Sequence, residues 1–206
     1  MIFNPQDSKI AITLSELTLL ETSEPWFDSY SEPYILSVAI DSTGNANPEI
    51  SFNFMPFPKV RRKATVTMLG DGHLLYGPKN PGEFVALSIL IMESDADMQE
   101  RGRILKELVE SKAVELGLKT IIISNPGSAA IVGVLKELTS FIAGVLSKNG
   151  DDELFRLEGS FLRDQPNPYH INRIYTQLNE FVKVSLKIIP LDTPNGEGAS
   201  VQKLKL

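Results

Sequence analysis

Three carboxylates stand at alternate positions where a long apolar run stops. Glu93, Asp95 and Asp97 close the stretch Glu83 to Asp97, whose middle reads Phe-Val-Ala-Leu-Ser-Ile-Leu-Ile-Met. Oxygen-rich side chains on a loop at the end of a buried strand make a candidate cation site. Asp97 has a second reading, because Asp97-Met98-Gln99-Glu100 has the form of a capping box, in which an N-cap aspartate and a glutamate three residues on satisfy free amides. The case for a cation therefore rests on Glu93 and Asp95.

Other chemistries find little to work with. The chain has no cysteine, which excludes disulfides, thiolate metal sites and a cysteine nucleophile. Its two histidines, His73 in a turn-like segment and His170 in a proline-flanked loop, make no zinc signature. No Gly-x-Ser-x-Gly, glycine-rich phosphate loop or His-Glu-x-x-His is present. No enzymatic activity can be read from such a sequence.

The 206 residues suit one large domain, and the 42% apolar and 22% charged fractions are those of a chain that buries a core. A net charge of -6 disfavours nucleic acid as the main partner, since phosphates demand a basic excess. A cation or a basic protein suits it better. The N-terminus lacks the pattern of a signal peptide, and no run of about 18 uncharged apolar residues marks a transmembrane segment, so a cytoplasmic location is expected.

The elements that would position the carboxylates are mostly strands. Ile10 to Leu19 alternates with a period of two, as does Tyr34 to Asp41. Ile50, Phe52 and Phe54 continue the pattern to Pro56. Thr65 to Leu69 is β-branched and short, and Gly70-Asp71-Gly72-His73 predicts a hairpin connection to Leu74–Tyr76. After Asp97 the period changes: Ile104, Leu105, Leu108, Val109, Ala113 and Leu116 predict a helix from Met98 to Leu116, stopped by Gly117. A second helix follows Asn125-Pro126-Gly127-Ser128, with Ile131, Val134, Leu135, Leu138, Ile142 and Val145 as one stripe. Because its small and polar residues share the other face, it is read as packed on a core rather than crossing a bilayer. Leu154–Leu162 and Phe181–Ile189 return to strands, and 191–206 is expected to be a loosely ordered tail. The sum is an antiparallel β-sandwich of about eight strands with an inserted two-helix hairpin.

Two short motifs carry a family resemblance. Asp28-Ser29-Tyr30-Ser31-Glu32-Pro33-Tyr34-Ile35-Leu36 resembles the stretch of C2 domains in which an acidic loop ends in Ser-Asp-Pro-Tyr-Val and enters a strand, with Glu32 in place of aspartate. Phe84 to Asp97 resembles the C2 strand that ends in an Asp-x-Asp pair before the third calcium loop. Asp151-Asp152-Glu153-Leu154-Phe155 is similar to the end of that loop, some fifty residues later. The resemblance implies a C2-like sandwich over residues 1–190, with 98–149 as a helical hairpin inserted in the third loop. It implies calcium ligands at Asp28, Glu32, Glu93, Asp95 and Asp152, and a function as a calcium-dependent module for acidic phospholipid or a protein partner.

On the same analogy, Lys59, Arg61, Arg62 and Lys63 are candidates for contact with anionic headgroups, and Trp26, with Phe27, for a membrane-touching tip. Each has a plainer reading. The basic run can be a solvated loop after Pro56 and Pro58, the aromatic pair can plug the end of the core, and Asp151 and Asp152 can be turn residues. The alternative function is a metal-free interaction or assembly component, as in a bacterial toxin or secretion system, that uses the helical hairpin as its contact surface.

Overall fold

The computed structural model describes residues 3–23, 29–44, 50–94, 98–124 and 127–191. The first strand, β1 (Ile10–Leu19), is followed by a two-residue β2 (Tyr30–Ser31), then β3 (Pro33–Asp41), β4 (Ser51–Pro56), a two-residue β5 (Val60–Arg61), β6 (Thr65–Thr67), β7 (His73–Lys79) and β8 (Phe84–Glu93). Three helices come next, α1 (Met98–Glu115), α2 (Leu118–Ile123) and α3 (Ser128–Lys148). The chain then returns to strands with β9 (Asp152–Leu162), β10 (Ile174–Leu178) and β11 (Val182–Pro190).

These strands build an antiparallel sandwich. One sheet runs β10-β11-β1-β6 with β7 also on β1, and the other runs β4-β3-β8-β9. The mainly β, antiparallel architecture expected from the period-two segments is what the fold displays. Among the described residues the two sheets hold nine strands, one more than the period-two segments suggest. The extra one is β10, and β2 and β5 pair separately with each other.

β3 and β8 explain the apolar run. Ile35, Ala39, Val85, Leu87, Ile89 and Ile91 point into the core between the sheets, together with Ile12, Leu14 and Leu186 from the opposite sheet. The alternate residues Leu36, Val38, Ile40, Ala86, Leu90 and Met92 point the other way, into a second core against Leu105, Val109, Leu135, Leu138 and Ile142. A strand buried on both faces has no polar side to alternate, so it reads as continuous hydrophobicity. The single break, Ser88, meets Thr139 of α3 at 3.3 Å inside that second core.

The helices are thus a third layer laid on the β3-β8 sheet. α3 buries Ile131, Leu135, Leu138, Thr139, Ile142, Ala143 and Leu146. By length and composition α3 is also apolar enough to cross a membrane. Gly117, with φ of 63°, ends α1 as its sequence position suggests, and the next residues form the short α2.

The expected hairpin at Gly70–His73 is not one. β6 and β7 do not pair with each other; both pair antiparallel with β1, β6 at Glu16–Thr18 and β7 at Ile10–Leu14. They are two pieces of one interrupted neighbour strand. The segment between them loops out, and Gly72, at φ of 100°, lies so close to the Leu14 carbonyl that a Cβ there has no room. Thr13 Oγ1 donates to the Asp71 carbonyl and fixes the excursion.

Candidate functional site

Three of the predicted ligands, Glu32, Glu93 and Asp152, lie at one end of the sandwich, where β1, β3, β8 and β9 begin or finish. Pro33, Glu93 and Asp152 are register partners across three adjacent strands, so Glu93 and Asp152 lie directly opposite each other on β8 and β9. Glu32 precedes Pro33, and its carbonyl accepts from the Ser94 amide at 3.3 Å. The structure therefore brings Glu32, Glu93 and Asp152 to one edge. Asp28 and Asp95, like Trp26, Phe27 and Asp97, lie outside the described residues.

Two of the three described carboxylates already have other work. Met92 points at the helices, so Glu93 turns toward the opposite sheet, where its Oε2 accepts from Ser23 Oγ at 2.5 Å. That bond ties the end of β8 to the segment after β1. Glu32 is paired with Lys59 at 3.0 Å. Asp152 is exposed, whereas Asp151 beside it is buried and accepts from the Tyr34 hydroxyl at 2.6 Å. The two aspartates, alike in sequence as turn residues, have opposite fates. Among the described residues no group of three or more carboxylate or imidazole side chains could hold a metal ion. Taken alone, Glu32, Glu93 and Asp152 do not fit a calcium site.

The basic run lies at the same end and is shaped by the backbone. β5 pairs with β2, setting Arg61 across from Tyr30. Arg62 N–H donates to the Ser29 carbonyl at 2.8 Å, Lys63 N–H to the Leu19 carbonyl at 2.7 Å and Ala64 N–H to the Arg61 carbonyl at 2.9 Å. Lys63 takes a left-handed φ of 64°, an unusual conformation for a residue with a Cβ, held by those bonds. Arg61, Arg62 and Lys63 line a hollow with Ser29 and Ala64. Arg62 bonds Glu21 at 3.0 Å and holds that carboxyl below its usual range. Arg61 and Lys63 are exposed and make no ion pair among the described residues.

Elsewhere, two polar clusters are structural. At the far end of the sandwich the buried Asp41 accepts from Tyr76 Oη at 2.7 Å, pairs with Lys79 at 2.5 Å and accepts from the Thr43 amide and hydroxyl. Burial, then the Asp41 charge, pushes the Tyr76 phenol far above its ordinary value. With every oxygen satisfied, Asp41 has no capacity left for a ligand. The second cluster is aromatic: His170 stacks on Tyr175 with centroids 5.6 Å apart, and Phe161 meets both edge-on. It stands beside a cleft of about 180 Å³ between β9 and β10, lined by Leu157, Phe161, Tyr175, Gln177 and Leu186. Neither cluster had a sequence signal: the first joins β3 to β7, and the second forms only where the loop between β9 and β10 folds back on both strands.

Set against known proteins, the chain matches no protein-family model and has no significant match to any curated protein.

Proposed function

We propose that this chain is a non-enzymatic, C2-like binding module whose loop end docks on an acidic phospholipid surface. The observation that carries this reading is the Arg61–Lys63 turn. Its backbone is pinned to the Ser29 and Leu19 carbonyls, and it presents two exposed cations, Arg61 and Lys63, beside a hollow. Each basic residue near an anionic membrane contributes about 1 kcal/mol, so these two supply roughly 2 kcal/mol, about thirtyfold in affinity. The charges are exposed, so their effect is screened by salt. A calcium contribution would draw on Asp28 and Asp95 beside Glu93 and Asp152, with Glu32 released from Lys59.

Vesicle sedimentation tests the reading. Phosphatidylserine-containing vesicles should pull down the protein at low salt, phosphatidylcholine vesicles should not, and the double substitution Arg61→Glu with Lys63→Glu should abolish the difference. Binding that appears only with calcium, and survives that double substitution, would move the site to the carboxylates. Absence of binding to either vesicle at low salt, with and without calcium, would overturn the lipid reading.

A further inference from the structure

β10 is an edge strand with an unusual lack of protection. Edge strands expose a row of unpaired amides and carbonyls, and proteins blunt them with charge, proline, brevity or a covering element. The other edges here are blunted: β9 carries Glu153, Arg156 and Glu158 and lies under α3, β4 ends in Pro56, β6 is three residues long and β7 contains Pro78. β10 reads Ile-Tyr-Thr-Gln-Leu, with neither charge nor proline, and its one partner among the described residues is β11. Ile174 and Leu178 are 62% and 64% exposed.

The ladder phase identifies the free backbone groups. Ile188 N–H donates to the Arg173 carbonyl and Asn179 N–H to the Val182 carbonyl, so 173/188 and 179/182 are bonded pairs. Bonded pairs alternate in an antiparallel ladder, which turns the backbone groups of Tyr175 and Gln177 toward β11 and those of Ile174, Thr176 and Leu178 outward.

We propose that a second copy of this chain pairs with that edge, β10 against β10, antiparallel about a twofold axis at Thr176. The sequence is self-complementary about that residue. Thr176 meets its own symmetry mate, and Ile174 meets Leu178 of the other copy, so each exposed apolar side chain covers the other. Three bonded pairs take up the outward amides and carbonyls of positions 174, 176 and 178. Charge agrees at both ends, because the register sets Arg173 of one copy level with Asn179 of the other, one residue from Glu180. Arg173 and Glu180 are exposed and make no ion pair among the described residues. Lys183 and Lys187, the β11 neighbours of Leu178 and Ile174, lie three strand spacings, roughly 14 Å, from their counterparts, beyond the screening length of about 8 Å. The two copies of this sheet then form one continuous sheet of doubled width.

A five-residue edge buries little surface, so association is weak and depends on concentration. Sedimentation of the intact chain from about 10 µM to about 1 mM should show the mean mass rising from 22.8 kDa toward twice that value. Over the same range, hydrogen exchange at the Ile174, Thr176 and Leu178 amides should slow, while the Tyr175 and Gln177 amides stay protected throughout. Thr176→Pro removes an outward N–H that the monomer ladder does not use, so the variant should fold and remain monomeric. Arg173→Glu should weaken the dimer, and adding Glu180→Arg should restore it. A chain that stays monomeric at the highest concentration, or a dimer unaffected by Thr176→Pro, would overturn the proposal.

Discussion

The Tyr34 hydroxyl donates to Asp151 Oδ2 at 2.6 Å across 117 positions of sequence, joining the start of β3 to the point where α3 hands over to β9. Asp151 is 2% exposed. A buried carboxylate that loses one bond keeps its desolvation cost. Tyr34→Phe should therefore lower stability by about 1–3 kcal/mol, more than the hydroxyl's size suggests, as read from urea unfolding midpoints.

The helical layer is a structural cover. Leu138→Ala, at a site with no exposed surface facing β8, should cost about 2–5 kcal/mol. Removing residues 98–149 entirely should leave Leu36, Val38, Leu90 and Met92 facing water, giving a chain that binds a hydrophobic dye or precipitates. A soluble, cooperative β-sandwich from that deletion would show that the second core is dispensable.

His73 supplies an acid-side signature. Its Nε2 bonds Asn53 Oδ1 at 2.7 Å, and burial lowers its pKa. The folded form resists the proton that the unfolded chain accepts near pH 6.5, so this contribution is complete above that value and is lost as pH falls below it. The difference in melting temperature between the wild type and His73→Gln should narrow between pH 8 and pH 5.

Two tyrosines act on the alkaline side. Burial pushes Tyr169 up to about 12, and Tyr76 is raised further by burial and the Asp41 charge. An unfolded tyrosine ionises near pH 10, so above that pH the unfolded state gains charge that the folded state refuses. Stability present below pH 10 should decline as pH climbs toward 12. Ultraviolet titration should show Tyr76 and Tyr169 ionising well above the pH 10 of an exposed phenol.

Gly72 is a backbone requirement. Its φ of 100° and its contact with the Leu14 carbonyl leave no space for a methyl group. Gly72→Ala should cost more than the roughly 1 kcal/mol typical of a strained glycine site, whereas Gly133→Ala, on α3 with open space around it, should be neutral or stabilising. Thermal unfolding of the two variants makes the comparison.

Much of the sandwich was legible because its strands have distinctive surroundings. β1 and β11 line one core and show it as a period of two, whereas β8 is buried on both faces and shows it as a continuous apolar run. β10 was missed because an edge strand with both faces largely exposed has no burial pattern to leave in the sequence. The false hairpin at Gly70–His73 arose because Gly-Asp-Gly chemistry reports a tight backbone without saying which strand lies beside it. On α3 the buried stripe is rotated slightly from the expected one, taking in Thr139, Ala143 and Leu146 where the pattern favoured Val134 and Val145. Thr139 fits because Ser88 meets it, a fact held in a different part of the chain. At the loop end, Glu32, Glu93 and Asp152 share one edge, and the other two expected ligands, Asp28 and Asp95, lie outside the described residues. The sequence could not show that Lys59 and Ser23 meet Glu32 and Glu93, since those contacts depend on where β1 finishes and β5 begins.

The double burial of β8 also sets a hazard during synthesis. The strand leaves the ribosome complete with β3 already available to pair with it, yet the cover for its second face, α3, lies 35 to 64 residues further on, counting from Glu93 to Ser128 and from Phe84 to Lys148. Until that helix emerges, a nine-residue β-rich apolar segment stands open to any neighbouring nascent chain. Slow translation between residues 98 and 148 should therefore lower the soluble yield of this protein more than slow translation after Asp152.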